Sequence, residues 1–256
     1  MSVFGNYASY YDLLYKDKDY NGEVRYVSAL IREINPLAKS LLTLGCGTGK
    51  HELLFSEYGF RVEGIDLSEV MIRLAEVNKG KAGKQAQNVK FHRGDIRTID
   101  LHEKFDAVVS LFHVACYQTE NEDLIKFIRT AKKHLNKGGI FIFDVWHGPA
   151  VLTDRPASRA RNAEDEKIKV VRKTEPVMLS EQNVVEVNYN IKITDKISKT
   201  TLEINECHRM RYLFRPELKL LLEGEGFELL KSEEWVTKQP PSYETWYVNY
   251  IARLTY

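Results

Sequence analysis

The stretch Leu41-Leu42-Thr43-Leu44-Gly45-Cys46-Gly47-Thr48-Gly49-Lys50 decides the architecture. A short apolar run ends in glycines at alternate positions, and His51 to Tyr58 follows with helical spacing at Leu53, Leu54, Phe55 and Tyr58. The order is strand, tight turn, helix. Glycine is needed where φ is positive or where the backbone must touch a ligand with no Cβ between them. The helix start beyond the turn offers free N–H groups and a partial positive charge. Such a turn can hold a nucleotide or a carboxylate; a tight βα turn with no ligand is the bland alternative.

Spacing separates the ligand classes. A phosphate-binding loop needs Gly, four residues, then Gly-Lys-Ser/Thr; its first glycine falls on Leu44 and its hydroxyl on His51, so it fails twice. A dinucleotide fingerprint needs a third small residue where Lys50 stands. What remains is G-x-G-x-G.

The 256 residues suit one large α/β domain, or one with a sizeable insertion. A chain of this length can bury roughly three-quarters of its unfolded surface, so a core needs no disulfide or metal. Thirty-seven basic residues balance 36 acidic ones, which gives no sign of a nucleic-acid binder. Cys46, Cys116 and Cys207 are far apart and odd in number, so neither a disulfide framework nor a metal site is expected. With no signal peptide and no apolar run of spanning length, the expectation is a soluble cytoplasmic protein.

Asn6 to Tyr20 holds five tyrosines in fifteen residues, and Tyr7, Tyr11 and Tyr15 fall on one helical face. They either pack on the core or form a lid whose phenol tips reach a ligand. A helix is predicted from Val24 to Ile34, stopped by Pro36. Phe60 to Leu67 reads as a second strand that delivers Asp66, 21 residues past Gly45. A carboxylate there can accept both hydroxyls of a ribose; alternatively it is an acid at the start of a helix, Ser68 to Asn78, capped by Ser68. Lys79 to Asn88 reads as a loop and Val89 to His92 as a short strand before Gly94-Asp95-Ile96. Asp95 is either an adenine contact or a turn aspartate. Lys104 to Val114 is predicted as a buried strand, Asn121 to Leu135 as a helix with Asp123 on its polar side, and Ile140 to Trp146 as strand five. This alternation implies a parallel sheet with right-handed crossovers.

The pattern then changes. His147 to Glu166 reads as a polar loop, while Lys169 to Leu179, Val185 to Ile193 and Lys199 to Phe214 read as antiparallel ribbons. Glu217 to Glu225 is a helix, and Phe227 to Trp235 and Glu244 to Tyr256 are the last strands. The expected organisation is therefore 1–146 plus 216–256 around an antiparallel β insertion, 147–215. That insertion could cover an acceptor or pair two copies in a homodimer.

Leu44-Gly45-Cys46-Gly47-Thr48-Gly49, Asp66-Leu67-Ser68, Gly94-Asp95-Ile96, Phe105-Asp106-Ala107-Val108-Val109 and Leu135-Asn136-Lys137-Gly138-Gly139 together resemble the motifs of class I S-adenosylmethionine (SAM) methyltransferases. The resemblance implies a Rossmann-like, seven-stranded, mostly parallel sheet with its last strand antiparallel, and SAM across the ends of strands one, two and four. It places Gly45, Cys46, Gly47, Thr48 and Gly49 at the methionine part, Asp66 on the ribose, Leu67 beside the adenine, Asp95 and Ile96 holding it, and Leu111 behind the sulfonium, with Met71 as a further cofactor contact. The family usually has an acid two residues before the first glycine, where this chain has Thr43. The tyrosine-rich opening and the β insertion look like the nucleotide-linked amino-sugar N-methyltransferases. That resemblance implies methyl transfer to N or O of a small polar acceptor, with no nucleic acid, membrane or metal involved. An in-line displacement asks mainly for alignment, and an amine acceptor needs no dedicated base. Candidate catalytic residues are His113, ahead of His147 and His208, and Tyr15, which also faces the cofactor. Candidate acceptor contacts are Tyr11, Tyr117, Trp146, Arg211 and Tyr212. The alternatives are a SAM-binding regulatory or scaffold module without turnover and, further off, a nicotinamide oxidoreductase, which Lys50 disfavours.

Overall fold

A computed structural model describes residues 10–11 and 13–255. Tyr7 of the expected aromatic face lies outside these residues. The first long helix, α1 (Tyr20–Ile34), begins four residues before the predicted Val24, because the Asp19 side chain accepts from the Gly22 N–H and caps it. Then come β1 (Ser40–Leu44), α2 (Lys50–Glu57), β2 (Arg61–Asp66), α3 (Glu69–Ala82), β3 (Val89–Arg93), β4 (Phe105–Ser110), α4 (Asn121–Lys133) and β5 (Leu135–Trp146). After these lie α5 (Gly148–Thr153), β6 (Arg159–Glu164), β7 (Ile168–Leu179), β8 (Val184–Asp195), β9 (Thr201–Arg211), α6 (Arg215–Gly224), β10 (Phe227–Glu234) and β11 (Tyr247–Leu254).

One sheet has the order β10-β11-β5-β4-β1-β2-β3, with β11 antiparallel to both neighbours and β1 to β5 parallel. This is the expected seven-stranded arrangement. Alternation along β5 explains its two covered faces: Phe141 and Phe143 pack toward α4 and α6, while Ile140 and Ile142 pack toward α1. The order reverses between β1 and β4, which opens a crevice at their C-terminal ends. The second sheet, β6-β7-β8-β9, is wholly antiparallel. Tyr10 and Leu14 are buried against its Val170 and Ile191, so part of the tyrosine-rich segment packs on the second sheet and not on the first.

Several boundaries differ from the sequence reading. Strand β4 stops at Ser110, four residues short, because Phe112 and His113 adopt left-handed backbone angles (φ 66° and 64°). Residues 79–88 are not a loop: α3 runs to Ala82 and a 3-10 turn follows at Gly83–Ala86. Helix α4 ends at Lys133, and β5 starts at Leu135 and runs through Gly138 and Gly139. Residues 147–166 hold α5 and β6; the latter is an exposed edge strand made by pairing with β7, so it carries no apolar alternation.

Asp106 ties the strand starts together. Its carboxylate accepts from the Lys39 N–H (2.9 Å), the Ser40 N–H (3.0 Å), the Ser40 hydroxyl (2.9 Å) and Asn136 (3.1 Å). Burial pushes its pKa up, but those bonds outweigh it and hold the carboxyl below the usual range. The Asp106→Ala variant is expected to lose about 2 kcal/mol at pH 7, since charge-assisted bonds disappear. Urea unfolding measures this, and the deficit should close as pH falls through the lowered native pKa, where wild type loses the same bonds.

Candidate active site

The crevice is a cleft of about 780 Å³ roofed by the second sheet, within the range of small-molecule sites. Its floor is the glycine turn. The Gly45 and Cys46 N–H groups both donate to the Ile65 carbonyl (2.8 and 2.9 Å), which locks the turn to the end of β2. Gly45 has φ +88°, and a Cβ there would stand 2.5 Å from Val114 Cγ2. At Gly47 (φ +54°) a Cβ would meet nothing within 4 Å and would project into the space a ligand needs.

Asp66 faces the turn. One carboxylate oxygen accepts from the Gly47 N–H (2.9 Å) and the other from the Ser68 N–H (2.8 Å). Burial raises its pKa, opposed by those two bonds. Ser68 also caps α3, its hydroxyl accepting from the Met71 N–H at 3.3 Å, so both readings of this stretch hold in part: Ser68 caps the helix while Asp66 lines the cleft. Asp95 is gripped by Arg97 Nε (2.9 Å) and Nη2 (2.6 Å), which lowers its pKa. Arg97 also reaches Asp123 at 2.8 Å. Asp123 is therefore the far end of an ion-pair chain into the cleft and not an inert surface acid.

The structure brings Tyr11, Tyr15, Gly45, Cys46, Gly47, Thr48, Asp66, Leu67, Met71, Asp95, Ile96, Leu111, His113, Tyr117 and Trp146 to the cleft. Three expected residues are elsewhere. Gly49 is the left-handed N-cap of α2 and backs onto Phe91 and Ala75. Arg211 bonds the Thr119 carbonyl (3.3 Å), Asn121 (2.7 Å) and Glu217, because His208 and Met210 take the cleft face of β9 and leave position 211 on the other. Tyr212 lies past the strand end, 1% exposed in the core. His147 is likewise buried at the Thr245 carbonyl (3.2 Å).

The sequence reading missed Tyr20, His51, Arg97, Arg159, Arg161, Arg172, Tyr189 and Tyr247, all of which line the cleft. No local motif marks those on β6 to β8; pairing alone carries them there. It also missed Glu52. This carboxyl is 2% exposed beneath the glycine turn, and burial raises its pKa to about 7, opposed by a bond from the Thr43 hydroxyl. Thus a buried acid stands one helical turn beyond the glycines, beside the Thr43 that occupies the usual acidic position.

His113 sits on the left-handed bend after β4. Its backbone N–H donates to both oxygens of buried Asp144 (3.1 Å each), and its Nδ1 lies 2.6 Å from Oδ2. Its ring stacks on Tyr247 at 4.6 Å. Phe112 meets Tyr15 edge-on at 5.1 Å. The described residues include no cluster able to hold a metal and no helix long and apolar enough to cross a membrane.

Residues 41–139 match the family profile described as a methyltransferase domain. The chain has the class I methyltransferase fold. It is 34% identical over 151 residues, 58% of this chain and 61% of the relative, to a dTDP-3-amino-3,4,6-trideoxy-alpha-D-glucopyranose N,N-dimethyltransferase of Streptomyces venezuelae. The match thus spans about three-fifths of that relative's length. The crystal structure of Streptomyces venezuelae DesVI superposes with a TM-score of 0.79 at 25% identity, over 96% of this chain and 97% of that one. A SAM-dependent methyltransferase of Clostridium acetobutylicum has the same fold, with a TM-score of 0.80 at 20% identity and 96% of each chain covered.

The cleft fits SAM: a turn bare of side chains at Gly47, a carboxylate at ribose distance in the chain, and an apolar slot at Leu67, Met71 and Ile96. Asp66→Ala is expected to weaken SAM at least 30-fold by calorimetry, about 2 kcal/mol or more. Glu122→Ala, an exposed helix change, should leave SAM binding unmoved; comparable losses would remove Asp66 from the site. For Glu52 the native pKa lies above its unfolded value of 4.5, so wild type loses stability as pH rises from about 4.5 to about 7. Glu52→Gln should therefore match wild type most closely near pH 4.5 and gain about 3 kcal/mol on it by pH 8, read by urea unfolding.

Proposed function

We propose that this protein transfers a methyl group from SAM to the nitrogen of an anionic, nucleotide-linked amino sugar. The observation that carries the acceptor class is the second sheet's contribution to the cleft. Arg159 and Arg161 of β6 and Arg172 of β7 line it, and among the described residues neither Arg159 nor Arg161 has an ion-pair partner. Guanidinium groups grouped in this way suit a diphosphate, whose oxygens they can take in pairs. The activity of the Streptomyces venezuelae relative, on a dTDP-linked amino sugar, supports the same reading. The aromatic wall of Tyr11, Tyr15, Tyr117, Trp146, Tyr189 and Tyr247 supports turnover over a binding-only module, since it surrounds space beyond the cofactor residues.

When bound, SAM supplies an activated methyl group. The chain's own work is then alignment, which can supply roughly 7–11 kcal/mol of barrier lowering. Gly45 to Thr48 and Asp66 hold the donor from the first sheet, and the arginines hold the acceptor from the second. His113, braced by Asp144, and Tyr15 stand where the two halves meet and orient the attacking nitrogen. The indole N–H of Trp146, which has no partner among the described residues, is a donor for the acceptor. Among the described residues nothing pairs with the outer edges of β6 and β9, and a second copy could add to the sheet there; sedimentation would show such a dimer.

The test uses a thymidine diphosphate-linked 3-amino sugar. Arg159→Ala with Arg161→Ala is expected to raise its KM about tenfold or more, consistent with loss of charge-assisted bonds. SAM affinity should stay within twofold, and the KM gap should shrink as salt is raised. An unchanged KM would remove the diphosphate from this wall.

A further inference from the structure

The cleft contains a second histidine–carboxylate pair, on the opposite sheet from His113 and Asp144. The Tyr117 hydroxyl lies 2.7 Å from His208 Nδ1. His208 Nε2 lies 3.1 Å from Glu206 Oε2, and the other oxygen of Glu206 accepts from the Tyr10 hydroxyl at 3.0 Å. Glu206 is 5% exposed, whereas Tyr117 is 46% exposed and lines the cleft. The direction of each bond follows from the inventory of donors. A carboxylate only accepts, so Nε2 carries the proton; a neutral imidazole then has Nδ1 as its acceptor; the Tyr117 hydroxyl must therefore donate to it. This leaves the lone pairs of the Tyr117 oxygen facing the cleft with no hydrogen to offer, a surface suited to an N–H donor.

We propose that Tyr117, His208 and Glu206 form the path by which the acceptor's ammonium loses its proton before methyl transfer, with His113 left to orient the amine. This rests on the reading of the cleft as an amine methyltransferase site. The R–NH3+ group passes one proton to the Tyr117 oxygen while the Tyr117 hydroxyl proton moves to His208 Nδ1. The amine becomes R–NH2 with a free lone pair, His208 becomes an imidazolium, and its Nε2–H stays on the Glu206 carboxylate, which offsets the new charge. Tyr117, open to the cleft mouth, returns the proton to water once the product leaves. The other groups around His208 are Tyr189 on β8, with ring centroids 5.1 Å apart, and beyond it Arg172 on β7, 4.7 Å from the Tyr189 ring. Among the described residues of the N-terminal segment, Tyr10 and Tyr15 also stand nearby, Tyr15 through its 3.2 Å bond from Arg172. Among the described residues Glu206 is the carboxylate that faces His208.

Two measurements test the path. Nitrogen-15 NMR of the histidine rings at pH 8 is expected to show His208 protonated on Nε2 alone, with a Nδ1 resonance that moves in Tyr117→Phe. A resting His208 protonated on Nδ1 overturns the proposal, because Tyr117 would then be accepting from it. In kinetics with a thymidine diphosphate-linked 3-amino sugar, His208→Gln and Tyr117→Phe are each expected to lower kcat about 100-fold at pH 7.5, the scale of general-base loss. Their SAM affinities should be unchanged, and their kcat should climb about tenfold per pH unit while wild type levels off. Tyr117→Phe removes one hydroxyl from a half-exposed ring, so it carries the test if His208→Gln folds poorly. A rise in KM with kcat unchanged makes these residues a binding wall and sinks the path alone. An inactive wild type that binds SAM sinks the amine-methylation reading and the path with it.

Discussion

The bond from the Gly47 N–H to the Asp66 carboxylate joins the two elements on which the cleft depends. It fixes the bare turn after β1 to the acid at the end of β2, 2.9 Å apart, and the paired bonds to the Ile65 carbonyl hold the turn from behind. A ligand that meets the turn therefore meets Asp66 in a set orientation, with no loop to reorganise. The cost is a buried carboxylate, met by two backbone donors. Gly45 cannot change without striking Val114, so the bend after β4 and the turn after β1 also constrain each other.

Around that fixed floor the cleft divides by chemistry. The first sheet contributes backbone, an acid and apolar side chains; the second contributes arginines and phenols. A single sheet presents one face to one ligand, whereas two sheets that share a cleft can hold two ligands end to end. The left-handed bend at Phe112 and His113 stands between the halves, and the positive φ of two consecutive non-glycine residues is backbone strain concentrated in the cleft. Buried Asp144 accepts the His113 N–H and so stabilises the bend.

Thr43 shows how a motif can depart from its pattern without an obvious loss. The hydroxyl there stands beside a carboxyl brought from α2, and an acid lies under the glycine turn at the expense of burying Glu52. A motif read position by position registers only the missing acid, since residues 43 and 52 become neighbours only after β1 and α2 pack.

The alternation of strands and helices up to β5, the parallel sheet it implies, the glycine turn, Asp66 at the strand end and the Ser68 cap were all legible in the chain, because each is set by local periodicity, by turn chemistry or by a short fixed spacing. Clean alternation at Val185 to Ile193 likewise announced the second sheet. Tertiary packing decided the rest. Arg159 and Arg161 reach the cleft because β6 pairs with β7; Arg211, equally basic, turns away because of its parity on β9. The short β4, the bend at His113 and the Tyr117–His208 contact join residues up to 91 positions apart. Such contacts follow from register and crossover geometry, which shift every side chain by a face for each residue of slip, and no local pattern in the sequence encodes them.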